Sequence, residues 1–383
     1  MPHGVEPPPT AFMRLALTLA LRGLEGVSPN PLVGAVLVRR GEVIGRGWHR
    51  RFGGAHAEVE AFRDAERRGF SARGSDLHVT LEPCGHQGKT PPCAGAIIER
   101  GVRRVFYAVR DPNPLTRGRG PRMLRRAGIE VHEGLLREEC TELNEPYLHW
   151  ITTGMPWVIL KWAMTLDGRT AAPSGESRWI TGEEARAYAH RLRRRVDAVM
   201  VGTETALRDD PRLHPRPPRG RGPWRVILDR RARLPLSLRL LSPDEAVHGG
   251  GGRIYVTTAR SSARRRTELE SRGVKVLVAP EERGLLDLAR VFRDLGDLGI
   301  SQVLVEGGAR LHGSLLRSGL AHEVAAFIAP RILGSLGSRP AVDGTGIDPL
   351  EATPWLDNPQ WRRLGKDYLI HGKLDAGRGR KKR

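Results

Sequence analysis

His56 and Glu58 stand two positions apart, a Pro-Cys pair follows at 83–84, and a second cysteine, Cys93, lies nine residues beyond the first. Only one other cysteine, Cys140, occurs in the 383 residues. Three cysteines cannot build a disulfide framework, so the chain is expected in a reducing compartment, the cytoplasm. Two thiols, an imidazole and a carboxylate within one short region constrain the fold more than any other feature, because a metal can bind only if the chain brings them together. One imidazole and two thiolates leave a tetrahedral zinc one open position, the catalytic rather than the structural pattern. Zinc lowers the pKa of water held there towards ~7. Glu58 is then placed to take a proton from that water and pass it to a leaving amine without binding metal. The alternative is a pair of core cysteines beside an unrelated His–Glu pair. Cys140 has no partner at ligand spacing and reads as a structural thiol.

The apolar spacing around these residues predicts a layered α/β arrangement. Residues 11–22 have helical periodicity, 33–38 and 42–49 read as a strand pair about a turn at Arg39–Glu42, and 55–69 reads as a helix stopping at Gly69. A buried strand running into a loop over 76–84, a short helix over 93–101 and a strand over 102–114 follow. His56 and Glu58 then fall at a helix start and Cys84 past a strand end. Cys93 opens a helix behind two prolines, where the positive end of the dipole favours a thiolate.

A polar turn at Thr152–Pro156 precedes the apolar run "WVILKWAM", which places a domain boundary near residue 151. Beyond it, helices are expected at 183–195, 261–272, 284–295 and 309–318. Strands are expected at 198–202, 224–229, 253–257, 274–279, 302–306 and 323–329. The glycine pair between strand "QVLVEGG" and helix "ARLHGSLLRSG" lets a backbone approach a phosphate at a helix N-terminus, although a plain tight turn reads equally well.

H-x-E followed by P-C…C is the signature of zinc nucleobase deaminases, and here eight residues rather than two separate the cysteines. With that long spacing, "EPCGHQGKTPPC" resembles the deaminase domain of the bifunctional riboflavin-biosynthesis deaminase/reductase family. So do "PNPLVG" at 29–34, "HAEVEA" at 56–61 and "DPNP" at 111–114. "LKWAMTLDGRTAAPSGESRWIT" at 160–181, "VGTETALRDDPRL" at 201–213, "VEGGARL" and "IAPRILG" resemble the reductase domain of the same family. The resemblance spans roughly 11–370. It implies an N-terminal cytidine-deaminase-like layered domain (11–150) followed by a dihydrofolate-reductase-like α/β domain (151–372). A flexible start over 1–10 and a basic, disordered tail over 373–383 are expected to flank them.

The resemblance also implies roles. Zinc would be held by His56, Cys84 and Cys93 with Glu58 catalytic. A phosphorylated diaminopyrimidinone substrate would meet Asn30, His49, His86, Lys89 and Asn113. In the second domain, NADPH would contact Met164, Trp179, Thr205, Asp209 and the stretch Gly308, Ala309, Arg310, Leu311, His312, Gly313 and Ser314. The sugar-phosphate substrate would contact Ser177, Arg193, Leu213, Arg216 and Glu306, the arginines as bidentate phosphate donors. Lys161 is a candidate for polarising an imine or holding an oxygen. Three positions depart from the family pattern: Ser28 stands where histidine is common, Gly85 where serine or asparagine is common, and Met164 where a smaller residue is common. Arg230 takes the place of a serine near the cofactor and reads either as a grip on the 2′-phosphate or as a solvated charge.

The net charge is +20. Arginine-biased composition explains it before nucleic-acid binding does, since few aromatics are interleaved with the basic residues. An RNA-editing deaminase and an inactive RNA-binding relative are the competing readings; the intact His–Glu–Cys–Cys set opposes the second. No apolar run approaches membrane-spanning length, no secretion leader is read at the N-terminus, and the family implies a homo-oligomer.

Overall fold

A computed structural model describes residues 8–87, 91–217, 222–242, 252–334, 336–344, 346–348 and 350–375. It divides into two compact units, Met1–Gly154 and Met155–Arg383. The expected flexible start and basic tail fall mostly outside the described residues. Pro9 and Thr10 already lie in a helix, and 373–375 lie in a strand.

The first unit runs α1 (Pro9–Ala20), β1 (Gly34–Arg39), β2 (Glu42–Trp48), α2 (Ala57–Arg67), β3 (Asp76–Leu81), α3 (Cys93–Glu99), β4 (Arg104–Val109), α4 (Arg119–Arg126), β5 (Glu130–Glu133) and α5 (Arg137–Thr153). Its sheet has the order β2-β1-β3-β4-β5; β1 is antiparallel to β2 and β3, and β3, β4 and β5 are mutually parallel. Successive strand residues face opposite ways. Ala35 and Leu37 therefore pack with Ala57, Ala61 and Phe62 of α2, while Val36 and Val38 pack with Met13 and Ala16 of α1 and with Cys140 and Tyr147 of α5. Because both faces are covered, β1 reads in the sequence as an unbroken apolar run.

The second unit runs β6 (Trp157–Thr165), β7 (Arg169–Ala171), α6 (Glu183–Arg195), β8 (Ala198–Gly202), α7 (Thr203–Asp209), β9 (Trp224–Leu228), β10 (Arg253–Thr257), α8 (Ala263–Glu270) and β11 (Val274–Val278). Then come the hairpin β12 (Glu281–Glu282) and β13 (Leu285–Leu286), α9 (Leu288–Asp297), β14 (Gln302–Val305), α10 (Ala309–Arg317), β15 (Glu323–Ala329), β16 (Arg339–Pro340), β17 (Trp355–Leu364) and β18 (Asp367–Asp375). The nine-stranded sheet has the order β11-β10-β9-β8-β14-β6-β15-β18-β17. Its strands from β11 to β15 are parallel, and β18 and β17 add antiparallel. Apolar cores line both faces.

Three differences from the sequence reading have physical causes. Helix α5 runs through the expected boundary at 151 and ends at Gly154, which adopts a left-handed conformation (φ 73). The helix expected from 284 starts at Leu288: Leu285–Leu286 pair with Glu281–Glu282, and Asp287 caps α9 by accepting from Arg290 N at 3.0 Å. Strand β17 was missed because it is exposed on both faces along almost its whole length and shows no alternation. Among the described residues, no helix is long and apolar enough to cross a membrane.

Candidate active sites

In the first unit the ends of three elements converge. His56 precedes α2 in extended backbone and Glu58 sits in its first turn. Cys84 follows β3, and Cys93 opens α3 after Pro92. His56 Nδ1 lies 3.1 Å from Cys93 Sγ and 3.7 Å from Cys84 Sγ, and Cys93 N donates to Cys84 Sγ at 3.3 Å. The three donor atoms all lie within 4.8 Å of one another. The Cys93 thiol, donating to Cys84, holds Cys84 well below the ordinary thiol range; that same contact, with burial and Glu58, pushes Cys93 up. His56 is raised, first by its bond to Cys84. Two sulfurs thus share one proton beside an imidazole, a charge arrangement that a divalent cation relieves by taking both as thiolates. Two thiolates and one nitrogen, with no fourth protein ligand among the described residues, fit zinc with an open position. Glu58 is 3% exposed, and burial raises its carboxyl above the usual range.

Beside this cluster lies a cavity of about 260 Å³. Asn30, His49, His86 and Asn113 line it together with His56, Glu58 and Cys84; Cys93 lies behind the wall, 1% exposed. Lys89 lies outside the described residues. Burial lowers the His49 pKa, so the ring is neutral. Its Nδ1, 3.0 Å from the Ala55 carbonyl, must carry the proton, which leaves Nε2 to accept from Asn30 Nδ2 at 3.0 Å. The Asn30 amide is thereby fixed in orientation and offers Oδ1 for a donor on a base. His86 Nδ1 is 3.3 Å from Thr116 Oγ1, and Asn113 Oδ1 accepts from Leu115 N at 3.0 Å.

Sequence reasoning missed the frame behind these residues. Asn144 of α5 accepts from Leu32 N at 2.8 Å and donates to Leu32 O at 2.9 Å, gripping the loop that carries Asn30. One helical turn on, Tyr147 donates to Asp111 Oδ1 at 3.0 Å, and Asp111 Oδ1 also accepts from Asn113 N at 3.0 Å. Glu82, raised to about 7 by burial, accepts from Asp111 N at 3.3 Å and Gly118 N at 2.5 Å. Buried polar residues on a helix with no local motif give no signal in a single sequence.

The glycine at 85 is explained by a close approach. A Cβ there would lie 2.6 Å from Gly120 N, and a Cβ at Gly120 would lie 1.8 Å from the Pro83 carbonyl. Gly120→Ala is expected to push the Pro83–Cys84 turn outwards, weakening zinc binding at least ~10-fold and destabilising the unit by about 1–3 kcal/mol. Zinc content against a competing chelator and the unfolding midpoint check this; wild-type values for both would show that the α4 start yields instead.

In the second unit a larger cavity, about 1090 Å³, opens at the carboxyl ends of the parallel strands. At one end Arg193 of α6 forks onto Glu306, Nε to Oε1 at 2.5 Å and Nη2 to Oε2 at 2.7 Å, while its Nη1 donates to the His214 carbonyl at 3.0 Å. Lys161 Nζ lies 3.9 Å from Glu306 Oε2. Burial would raise Glu306, but Arg193 and then Lys161 reverse this and hold it at about 2. Burial lowers Lys161, and the Glu306 charge opposes that. The guanidinium expected to grip a phosphate is therefore engaged with Glu306 and His214. Arg216, exposed on the same wall, has no side-chain partner among the described residues and is a cation open to an anion.

The next stretch of wall fits a dinucleotide. Gly307 and Gly308 have φ values of 156 and 90. A Cβ at Gly307 would lie 2.8 Å from Thr205 Oγ1, so glycine is needed where the chain turns from β14 into α10. The α10 N-terminus there suits a diphosphate. Thr205, Asp209, Ser177, Trp179, Ala309, Arg310 and Leu311 share this wall, and Ser177 Oγ lies 3.3 Å from Asp209 Oδ1. Trp179 is 61% exposed, with the Arg186 guanidinium over its ring at 4.4 Å, so it is no core aromatic.

Several expected contacts are not at the wall. Met164 shares the strand face of Leu160 and Trp162, opposite Lys161; Gly313 packs against the Asp343 carbonyl, and neither these two nor Ser314 lines the cavity. Leu213 and His312 border the cavity but are almost wholly buried, 2% exposed each. The His312 ring lies 3.1 Å from Ala341 O and 3.3 Å from Val305 O.

Comparison with known proteins agrees with both sites. Residues 8–109 match the cytidine and deoxycytidylate deaminase zinc-binding region, and residues 156–370 match the RibD C-terminal domain. The riboflavin biosynthesis protein RibD of Actinobacillus pleuropneumoniae is 40% identical over 94% of this chain and 93% of its own length; that of Escherichia coli is 38% identical over 94% and 98%. Among solved structures, Acinetobacter baumannii RibD superposes with a TM-score of 0.85 at 36% identity, covering 96% of this chain and 99% of that one. A Thermotoga maritima diaminohydroxyphosphoribosylaminopyrimidine deaminase/5-amino-6-(5-phosphoribosylamino)uracil reductase does so with a TM-score of 0.81 at 35% identity, covering 96% and 99%. The two sites and the matches across nearly the whole chain lead to one assignment: this protein belongs to the RibD family of bifunctional, zinc-dependent deaminases and NADPH-dependent reductases of riboflavin biosynthesis.

Proposed function

We propose that the first unit deaminates 2,5-diamino-6-ribosylamino-4(3H)-pyrimidinone 5′-phosphate to 5-amino-6-(5-phosphoribosylamino)uracil, and that the second unit reduces the ribosyl group to ribityl. The observation that carries the reading is the convergence of His56, Cys84 and Cys93 beside a buried Glu58 at the cavity of the first unit. Zinc, when bound, activates a water. Glu58 takes that water's proton and delivers it to the ring amino group, which leaves as ammonia. Asn30, its amide oriented by His49, accepts from the base, and Asn113 and His86 border the rest of the substrate.

In the second unit NADPH, when bound, supplies hydride to carbon one of the opened sugar. The imine nitrogen there gains the proton that completes the amine. Lys161, pressed towards neutrality by burial and kept cationic by Glu306, is placed to give it. Glu306 and Arg193 hold each other rigid beneath the sugar, and Arg216 meets the phosphate. The exposed edge strand β17, with Trp355 and Trp361 more than 60% exposed, supports a homo-oligomer. Three free thiols support a reducing compartment, the cytoplasm. Ion pairing of arginines such as Arg103 and Arg104 speaks against a surface given over to nucleic acid.

Incubating the protein with the diaminopyrimidinone ribotide, with and without NADPH, and weighing the products tests the reading. The uracil ribotide is expected without NADPH and the ribityl compound with it. Prior stripping with a chelator is expected to abolish the first product while NADPH oxidation on supplied uracil ribotide continues; chelator-insensitive deamination would overturn the zinc assignment.

A further inference from the structure

Arg230 stands where the second cavity passes the carboxyl end of β9, away from Lys161 and Glu306, and the hydride-transfer end gives no reason for it. The preceding Asp229 is buried and turned into its own loop: Oδ2 accepts from Arg233 N at 2.6 Å, Leu234 N at 2.9 Å and the Tyr255 hydroxyl at 2.5 Å. An acid after such a strand suits an unphosphorylated ribose when it faces the ligand; here it fixes the loop instead. Arg230 is held at both ends. Its carbonyl accepts from Thr257 Oγ1 at 3.1 Å and Thr258 Oγ1 at 3.0 Å, and its Nη1 donates to Glu281 Oε1 at 2.8 Å. Glu281 Oε2 lies 3.1 Å from Arg260 Nε, so two guanidiniums share one carboxylate. Arg231 and Arg233, exposed on the same wall, have no carboxylate partner among the described residues. The patch is thus preorganised and carries excess positive charge.

Its position matches one part of a dinucleotide. In the sheet, β8 lies between β14 and β9. With strands ~4.8 Å apart, the end of β9 is about 10 Å from the glycine turn that faces the diphosphate. That is the reach of an adenosine ribose.

We propose that Arg230, oriented by Glu281, reads the 2′-phosphate of NADPH and is the residue that selects NADPH over NADH. Nε and Nη2 stay available for the phosphate while Nη1 keeps the Glu281 bond, and the dianion neutralises the surplus of Arg231 and Arg233. NADH leaves that charge uncompensated. The inference rests on reading the second unit as a reductase with its diphosphate at Gly307–Gly308.

Binding of two redox-inert fragments, ADP-ribose and its 2′-phosphorylated form, tests it by titration calorimetry. The wild-type protein is expected to prefer the 2′-phosphorylated form by at least ~30-fold, with a preference that shrinks as salt rises. Arg230→Ser is expected to cut that preference to about threefold or less while moving ADP-ribose affinity less than about twofold. Arg230→Lys, which keeps the charge but not the fork, is expected to fall between and serves if the serine variant melts early. Wild-type preference in either variant overturns the proposal. So does a wild-type protein that binds both fragments equally, which leaves the reductase reading standing; binding of neither fragment overturns both.

Discussion

Glu58→Gln is expected to lower deaminase turnover by ~10³-fold or more while leaving about one zinc per chain. Glutamine has the shape of glutamate and keeps the first turn of α2 filled, so His56, one residue before that turn, stays in place. What it lacks is a site for a proton. The transfer needs a group that accepts from water and then donates to an amine, and Glu58 is a carboxylate on the cavity wall two residues from the ligand His56. The other carboxylates on that wall, Glu82 and Asp111, are committed to backbone N–H groups and to Tyr147. Elemental analysis and product mass would be measured on the same preparation, with reduction of supplied uracil ribotide as the control. Retained deamination with zinc present would remove Glu58 from the chemistry. Loss of zinc would instead make it a support for the metal site.

Arg193→Ala is expected to lower reductase kcat/KM by ~10²-fold or more and to destabilise the second unit by about 3–5 kcal/mol, the usual consequence of leaving a buried carboxylate without its partner. Side-chain exposures of 16% for Arg193 and 6% for Glu306 make screening by water small. The pH dependence has a definite sign. Glu306 titrates at about 2 against an ordinary 4.5, so its pairing adds stability that is complete above about 4.5 and is lost as pH falls towards 2. In Arg193→Ala that acid-side loss is expected to flatten, which acid unfolding curves of the two proteins would show. An equally steep curve in the variant would mean that Lys161 alone depresses Glu306. Damage confined to the deaminase would break the assignment of Arg193 to the second site.

The zinc cluster was legible because metal binding fixes residue types and order: His56, Glu58, Cys84 and Cys93 are readable without coordinates. Strands β1, β3, β8 and β14, covered on both faces, were legible as apolar runs. What stayed hidden depends on direction rather than composition. Arg193 was recognised as a site residue, but its fork closes on Glu306 and not on a phosphate. Met164 was placed with the cofactor, yet period-two alternation turns it to the face opposite Lys161. Leu213 and His312 carry the right register but are almost wholly buried. Strand β17 is exposed along almost its whole length, and its side chains carry no alternation that a sequence reading can find.

Helix α5 has a bearing on how this polypeptide can be divided. The region matched as zinc-binding ends at residue 109, whereas Asn144 and Tyr147, which brace the loops around the base, lie 35 and 38 residues further on. An excision guided by the ligand motif alone would carry off the metal grip and leave its scaffolding behind. A portable deaminase module therefore has its natural cut at Gly154, the left-handed glycine that ends α5, and a shorter piece would be a metal site without a substrate mould.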